Sequence, residues 1–392
     1  MRTGALHNSE LLEVRFVRVS IVSGLEDPGW PYLGVVLAGT YSWGEAPLER
    51  LLPRPLLPVA DTPLICYALR WLEAGGIDRA TICANSSSDR VRTRVGDGAS
   101  LSMKIRYYED LTPRGAAGCV LDAARGCDAK TLVVVDGTAI PTVEIDQLLA
   151  AHVLAGAAVS VVGHRDPGHS VQGYRPLTPA GIYVIDRRVL DYIPEKGFQD
   201  IKESLIPRLY QAGERVLSYA ARGGCPRVLN AETYLAVNHW MIEQIAQKSS
   251  RHEVDRGQES VIHASARVDR DATLVGPVLV GPEVVVEAGA ILVGPTSVGL
   301  GSRVCSGALV SRSVIWSDCV VGREAVVDRC LLGDNTRVEA RVALVGSLKV
   351  DEFMSPSVAF EGDWLSDLKL GPAREIRTPG FAIAFPGRMG VA

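Results

Sequence analysis

The sequence predicts an α/β domain followed by a parallel β-helix, and two patterns support this. Up to about residue 249, short runs of β-branched and aliphatic residues alternate with helical patterns, which is typical of a Rossmann-like α/β fold. Beyond residue 260, aliphatic residues recur at every sixth position, which is the pattern of a β-solenoid. We therefore divide the chain into an N-terminal extension (1–32), an α/β domain (33–249), a linker (250–260), a β-helix (261–350) and a C-terminal tail (351–392).

The strands and helices of the α/β domain follow from local patterns. The run from Val35 to Ala38 predicts a buried strand that ends at Gly39, and Pro63 to Gly75 has apolar residues at helical spacing with a glycine stop. The remaining elements are predicted strands at 77–84, 131–138, 158–162 and 180–185, and predicted helices at 113–124, 145–155 and 231–249.

The six-residue repeat is the strongest pattern in the chain. Its aliphatic or aromatic positions are Ile262, Val268, Leu274, Val280, Val286, Leu292, Val298, Val304, Val310 and Trp316, followed after a slip by Val321, Val327, Leu332, Val338, Leu344 and Val350. Glycines at turn positions, among them Gly276, Gly294 and Gly322, fit short strands that are joined by tight turns. Such a repeat predicts that each strand stacks on the strand one coil below it.

Composition and charge exclude several classes of function. The 392 residues carry a net charge of -4, so we expect neither a nucleic acid nor a membrane as a partner. The eight cysteines include no CxxC pair, and no signal-peptide pattern or long apolar run is present, so we expect free thiols in a cytoplasmic protein. His164 and His169 lie near Asp166 in a predicted loop, where a solvated loop and a metal site are the two interpretations.

The segment from Gly34 to Val59 combines a strand, a loop and a return stiffened by three prolines. An α/β domain builds a nucleotide site in this way, at the carboxyl edge of its sheet. The segment, GVVLAGTYSWGEAPLERLLPRPLLPV, resembles the LAGGxGTRLxPLTxxxPKPLLPV signature of the sugar-1-phosphate nucleotidyltransferases, the NDP-sugar pyrophosphorylases. The resemblance extends over about residues 33–350 and implies a nucleotidyltransferase domain followed by the left-handed parallel β-helix of hexapeptide-repeat proteins.

The resemblance implies positions for a nucleotide and for a catalytic cation. The residues that match the family's nucleotide-binding motifs are Leu37, Ala38, Gly39 and Thr40 in the loop and Gly115 and Ala116 at the start of a helix. Arg54 falls on the lysine of the family's PKP motif and is the candidate catalytic residue.

The sequence departs from the family wherever the triphosphate and its metal would bind. The phosphate-loop glycines, threonine and arginine fall on Thr40, Ser42, Trp43 and Gly44. The two metal-binding aspartates fall on Thr138 and Arg227, so we expect no metal at those positions. Asp136 shares a face of its strand with Thr138 and could recruit a metal through water, but a solvated carboxylate at the strand end is the simpler interpretation.

These departures lead to three hypotheses. The first is a non-catalytic regulatory or structural subunit in nucleotide-sugar metabolism, which keeps a nucleotide or NDP-sugar ligand and forms a homo-oligomer or a hetero-oligomer with an active paralogue. The second is an active nucleotidyltransferase that uses Arg54 and Asp136 in altered roles. The third is an acyltransferase with His263, in the first coil of the repeat, as its base. We expect no cofactor, and Mg²⁺ only if the chain is catalytically active.

Overall fold

The computed structural model describes seven stretches of the chain, residues 31–39, 52–85, 88–109, 113–165, 177–221, 224–252 and 260–349. The predicted loop residues from Thr40 to Gly44, the pair Asp166 and His169, and the C-terminal tail lie outside the described residues.

A seven-stranded mixed sheet forms the centre of the first domain, as the α/β pattern predicts. The strands of this domain are β1 (Tyr32–Leu37), β2 (Pro58–Val59), β3 (Thr62–Pro63), β4 (Arg79–Ala84), β5 (Lys104–Glu109), β6 (Thr131–Asp136), β7 (Val159–Arg165), β8 (Leu177–Asp186) and β9 (Val216–Ala220). The order across the sheet is β5-β4-β1-β6-β8-β7-β9, and β2 and β3 form a separate hairpin. Because β5, β4, β1 and β6 are parallel, their carboxyl ends meet at one edge of the sheet.

Helices cover both faces of this sheet. They are α1 (Leu64–Ala74), α2 (Ser88–Val95), α3 (Gly115–Ala123), α4 (Ile145–Ala155) and α5 (Ile206–Gln211). A further helix, α6 (Ala231–His252), packs on the hairpin and on the second domain instead. Successive residues of β1 point to opposite faces, as the period of a strand requires. Val36 packs in one core with Leu69 of α1 and Leu148 of α4, whereas Val35 packs in a second core with Val120 of α3.

Sixteen short strands form the second domain, as the six-residue repeat predicts. They are β10 (Val261–Ile262), β11 (Arg267–Val268), β12 (Thr273–Val275), β13 (Val278–Val280), β14 (Val285–Val286), β15 (Ile291–Val293), β16 (Thr296–Val298), β17 (Arg303–Val304), β18 (Leu309–Ser311), β19 (Val314–Ile315), β20 (Val320–Val321), β21 (Val326–Asp328), β22 (Leu331–Leu332), β23 (Arg337–Val338), β24 (Ala343–Val345) and β25 (Leu348–Lys349). They stack into three all-parallel sheets of every third strand, which is the arrangement of a parallel β-helix. The left-handed winding stays a prediction.

The slip in the repeat lies earlier than the sequence predicts. Ile315, rather than Trp316, pairs with Val298 of the coil below and with Leu332 of the coil above. The cause is that two residues separate Ser311 from Val314, whereas three separate their partners Val293 and Ser297 in the coil below, so the side chain of Trp316 leaves the repeat. The same shift recurs in the last coil, where Lys349 pairs with Leu332, and Val350 lies outside the described residues.

The shifted Trp316 joins the two domains. Its Nε1 donates a hydrogen bond of 3.0 Å to the Tyr234 hydroxyl of α6, and the two rings meet edge to face with centroids 6.4 Å apart. The Tyr234 hydroxyl in turn donates to the carbonyl of Pro58 in β2. Asn238, one turn further along α6, accepts a hydrogen bond from the Ala60 N–H at 3.0 Å. The helix, the hairpin and the β-helix therefore share one buried core.

Two further observations concern α6 and its neighbours. The helix continues to His252, so it includes the first three residues of the predicted linker.

None of the helices in the described ranges has the length and apolarity that a membrane span requires.

We predict that Trp316→Ala weakens the junction between the domains. The indole is 4% exposed, so its removal leaves a cavity and should cost about 3–5 kcal/mol of unfolding free energy. Urea unfolding followed by fluorescence and circular dichroism measures this loss. Phe198→Ala serves as the control, because Phe198 is 53% exposed and its truncation should cost less than about 1 kcal/mol. Equal losses in both variants would contradict the assigned role of Trp316.

Candidate functional site

A cleft with a volume of about 320 Å³ opens at the edge of the sheet where the parallel strands end. Leu37 at the end of β1, Cys83 and Ala84 at the end of β4, and Asp136 at the end of β6 form its floor. Ligands of open α/β sheets bind at this edge, so the cleft is the candidate functional site.

The structure brings most of the predicted site residues to this cleft. Those that line it are Leu37, Gly39, Arg54, Gly115, Ala116, Asp136, Thr138 and Arg227. Thr40 lies outside the described residues. Ala38 differs from the prediction: it is fully buried, and its N–H donates to the carbonyl of Cys83 at 2.7 Å. Because that N–H is already used, Ala38 supports the strand end rather than a phosphate.

An ion pair occupies the place where the family would hold a metal. The Arg227 guanidinium donates to Oδ2 of Asp136, and the two side chains are 28% and 19% exposed. Oδ1 of Asp136 accepts the Thr138 N–H at 2.9 Å and the Thr138 hydroxyl at 2.6 Å. The prediction of a solvated carboxylate at Asp136 is therefore wrong, because both oxygens have partners inside the chain.

The backbone around this ion pair keeps it in place. The segment before α6 runs antiparallel to the residues after β6, with hydrogen bonds from Val228 N–H to Thr138 C=O at 3.0 Å and from Ile140 N–H to Pro226 C=O at 2.9 Å. Gly181 of β8 lies directly against the pair, where an added Cβ would come 2.9 Å from the Cβ of Asp136. Its φ of +80° is also a conformation that glycine adopts without strain.

These residues do not fit a divalent metal ion. Mg²⁺ prefers carboxylate oxygens, and the carboxylate of Asp136 already carries a guanidinium. A second cation at that place would be repelled by Arg227. Within the described ranges, no cluster of three or more His, Cys, Asp or Glu side chains is arranged to hold a metal ion.

The start of α3, predicted to meet a nucleobase, is partly closed by the chain itself. The carbonyl of Gln199 accepts hydrogen bonds from the N–H groups of Ala117 at 2.9 Å and Gly118 at 3.4 Å. Gly115 has a φ of +75°, and an added Cβ would come 2.5 Å from the same carbonyl. The glycine is therefore required by the close approach of Gln199, whether or not a ligand binds beside it.

A buried ion pair fixes the orientation of α3. Nη1 of Arg114 lies 2.7 Å from both carboxylate oxygens of Asp122, and Nη2 donates to the carbonyl of Pro194 at 2.9 Å. The hydroxyl of Tyr108 donates to the same carboxylate at 2.8 Å. Because this network spans β5, α3 and the segment after β8, it holds one wall of the cleft rigid.

Two cationic side chains line the cleft besides Arg227. Arg54 lies on a short 3₁₀ turn between the prolines of the return segment, and Lys202 follows Asp200. The carboxylate of Asp200 caps a short helical segment, Ile201–Leu205, since it accepts the N–H groups of Lys202 at 2.7 Å and Glu203 at 2.9 Å. The cleft therefore suits an anionic ligand.

Sequence reasoning missed Lys202. The surrounding FQDI stretch matched a segment of the family, but nothing local indicates that it reaches the cleft. Tyr183 was missed for the same reason. Burial raises the pKa of the Tyr183 phenol, while the nearby Arg227 lowers this pKa and the nearby Asp200 raises it by smaller amounts, so the cleft receives a neutral hydroxyl.

The other predicted sites gain no support from geometry. Nδ1 of His263 lies 2.9 Å from the hydroxyl of its neighbour Ser265, and the acyltransferase hypothesis stays a prediction because it depends on a cleft between subunits. His164 lies on β7, but Asp166 and His169 fall outside the described residues, so the metal-loop interpretation also stays a prediction.

Known proteins resemble this chain along most of its length. Residues 33–175 match the family model described as nucleotidyl transferase. Mannose-1-phosphate guanylyltransferase of Mycobacterium tuberculosis is 25% identical over 310 residues, which cover 74% of this chain and 82% of the relative. Glucose-1-phosphate thymidylyltransferase of Streptomyces griseus is 25% identical over 313 residues, which cover 73% and 83%. These similarities confirm the resemblance first indicated by the segment from Gly34 to Val59.

A subunit of a translation initiation factor also matches this chain. Subunit epsilon of the translation initiation factor eIF2B of Schizosaccharomyces pombe is 24% identical over 230 residues. The match covers 56% of this chain and 31% of that protein.

We predict that Gly115→Ala destabilises the chain more than Gly126→Ala. Both glycines have a positive φ, +75° and +69°, so both substitutions carry the same kind of backbone strain. An added Cβ at Gly126 meets nothing within 4 Å, whereas at Gly115 it meets the Gln199 backbone. The clash should add about 1–3 kcal/mol to the loss at Gly115, measured by urea unfolding. Equal losses would show that Gln199 yields to the new methyl group.

Proposed function

From the premise that the chain carries a nucleotidyl transferase domain, we propose that it is a non-catalytic subunit in nucleotide-sugar metabolism. In this role the cleft keeps a nucleotide or an NDP-sugar as a regulatory or structural ligand, without turning it over. The single observation that carries the proposal is the ion pair of Arg227 with Asp136.

The ion pair supports this proposal because phosphoryl transfer depends on charge neutralisation by metal ions. Transfer of a nucleotidyl group leaves little covalent chemistry for the protein, so positioning and electrostatic stabilisation provide most of the rate. Here the site provides a guanidinium fixed to a carboxylate, and Thr138 supplies a hydroxyl that already donates to that carboxylate. Neither group offers a metal the oxygen ligands it prefers.

The phosphate loop supports the proposal independently. Thr40, Ser42, Trp43 and Gly44 stand where the signature has two glycines, a threonine and an arginine. Glycines in such a loop allow backbone N–H groups to approach phosphate oxygens closely, and the arginine neutralises charge. The sequence provides neither feature.

Ligand binding is supported by what remains of the cleft. Gly39 and Ala116 line an open space, and Arg54 and Lys202 give it cationic side chains. An anionic ligand can bind such a site without a metal ion. The similarity to an initiation-factor subunit is in keeping with a role inside an assembly. We place the protein in the cytoplasm as a homo-oligomer, or as a hetero-oligomer with an active paralogue, with neither nucleic acid nor membrane as its partner.

An active nucleotidyltransferase is the second candidate, because two of the relatives named above are transferases of this kind. It requires Arg54 and Asp136 to act in altered roles. The ion pair opposes this, since an Asp136 that is held by Arg227 has no carboxylate oxygen left for a metal.

We predict that the wild-type chain releases no pyrophosphate above the protein-free background. The assay supplies Mg²⁺, each nucleoside triphosphate in turn, and mannose-1-phosphate or glucose-1-phosphate. The guanylyltransferase of Mycobacterium tuberculosis serves as the positive control for the reagents. Turnover by the wild-type chain that disappears in Asp136→Asn or Arg54→Gln would overturn the proposal and establish the second candidate.

We also predict that NDP-sugars raise the melting temperature equally in EDTA and in Mg²⁺. At a ligand concentration of one hundred times Kd, binding stabilises the native state by about 2.7 kcal/mol. Arg54→Gln should reduce the shift, because it removes a cation from the cleft, whereas Arg267→Gln on the β-helix should not. A shift that appears only with Mg²⁺ would contradict metal-free binding, and the absence of any shift would contradict a retained ligand.

A further inference from the structure

The seven-stranded sheet of the described residues ends on two edge strands, β5 on one side and β9 on the other. Edge strands expose unpaired backbone groups, and proteins usually protect them with charged residues, prolines or bulges. β5 has the sequence KIRYYE and is protected by Lys104, Arg106 and Glu109. β9 has the sequence VLSYA, which contains no charged residue and no proline, so its edge is open to a further strand.

The hydrogen bonds at both ends of β9 identify which of its backbone groups are open. The carbonyl of Arg215 and the N–H of Ala221 both bond towards β7, at 2.8 Å each. Backbone groups of successive strand residues point to alternate sides, so the odd-numbered residues between these two also bond to β7. Val216, Ser218 and Ala220 therefore point their N–H and C=O groups outward, where no described strand lies.

Exposed apolar side chains flank the amino end of β9 on both faces of the sheet. On one face, Val153 and Leu154 at the end of α4 are 70% and 87% exposed. Arg215 holds this end of α4 beside the start of β9, since its Nη1 donates to the carbonyl of Ala155 at 2.6 Å. On the other face, Tyr210 of α5 is 61% exposed. Exposed apolar residues that cluster in this way indicate an interaction site.

We propose that residues 14–22 of this chain, VRFVRVSIV, occupy the open edge of β9 as an added strand. The segment is rich in β-branched residues. As a strand it has apolar side chains on both faces, with Val14 and Phe16 on one and Val19 and Ile21 on the other. An edge that is flanked by apolar side chains on both faces of the sheet suits such a segment. This inference does not depend on what the cleft binds.

The connection to β1 fixes the direction of the added strand. β1 and β9 start at the same edge of the sheet, because β1 is parallel to β6, β6 and β7 are both antiparallel to β8, and β7 is parallel to β9. Residues 23–31 lead from the segment to β1, so the segment ends at that edge and runs antiparallel to β9. The added strand lies five positions from β1, or about 24 Å at about 4.8 Å per strand. Residues 23–31 span about 30 Å when extended, which is sufficient.

Charge and tethering favour this pairing over two others. At the β5 edge, Arg15 and Arg18 of the segment would approach Lys104 and Arg106, and these like charges repel each other. A second copy of the chain is the other occupant to consider at β9. A segment tethered through residues 23–31 has an effective concentration in the millimolar range, so it pairs before a second copy does.

Hydrogen–deuterium exchange of the full chain, followed by mass spectrometry, tests the pairing. Amides of residues 14–22 that pair with β9 exchange slowly, whereas amides of an unpaired segment exchange at once. Ser218→Pro removes an outward N–H but keeps the bonds to β7, and it should speed exchange in the segment at least about tenfold. Ser218→Ala is the matched control, since it removes the same hydroxyl but keeps the N–H, and exchange should not change.

A second measurement keeps the proposal testable if Ser218→Pro fails to fold. The double variant Val17→Lys and Val19→Lys leaves β9 intact and removes apolar side chains from the segment. The outward amides of β9 should then exchange at least about tenfold faster. Leu6→Lys makes the same kind of change outside the segment and should leave those amides unchanged.

Rapid exchange of residues 14–22 in the wild-type chain overturns the proposal. So does an equal effect of Ser218→Pro and Ser218→Ala, or a loss of protection at β5 instead of β9 in the double variant. Protection of β9 that falls on dilution also overturns it, because that result identifies a second copy as the occupant.

Discussion

The ion pair between Arg227 and Asp136 is the contact on which the cleft depends. It links the carboxyl end of β6 to the segment that leads into α6, across 91 positions of the sequence. An exposed ion pair contributes little to stability, but removing one partner of a largely buried pair leaves an uncompensated charge. The side chains of Arg227 and Asp136 are 28% and 19% exposed, so this pair behaves more like a largely buried pair. Substitution of either residue alone should therefore lower the free energy of unfolding. The contact that stabilises the site also occupies the carboxylate that a metal ion would need.

Both edges of the cleft are connected through the chain to the junction with the β-helix. On one edge, the turn that carries Arg54 continues into Pro58, whose carbonyl accepts the Tyr234 hydroxyl. On the other edge, Arg227 lies in the short segment that leads into α6, which carries both Tyr234 and Asn238. Because packed cores resist continuous deformation, a ligand that displaces either edge acts on the core around Trp316. The β-helix is thus a rigid continuation of the cleft.

Local patterns predicted the elements well, because the signals they depend on are local. The helix predicted at 145–155 is α4 with the same bounds, since the apolar periodicity lies within it and Gly156 follows it directly. The slip at Trp316 was placed wrongly, because a tryptophan at the sixth position is indistinguishable from a core residue until strand register is known. The partner of Arg227 could not be predicted at all. The sequence indicated that a cation replaces a metal ligand, but not that a carboxylate from another strand neutralises it.

Retained motif residues are weaker evidence for a ligand than they first appear. Gly115 is required by the approach of Gln199, and Gly181 by the approach of Asp136, so both would be glycine in a cleft that binds nothing. Gly39 is different. An added Cβ there meets no described atom within 4 Å, and its φ is not positive, so nothing in the described structure requires a glycine. The space beside Gly39 is the cleft itself, next to Leu37 and Arg54. Of these three described glycines, Gly39 is therefore the one whose absent side chain leaves room for a ligand.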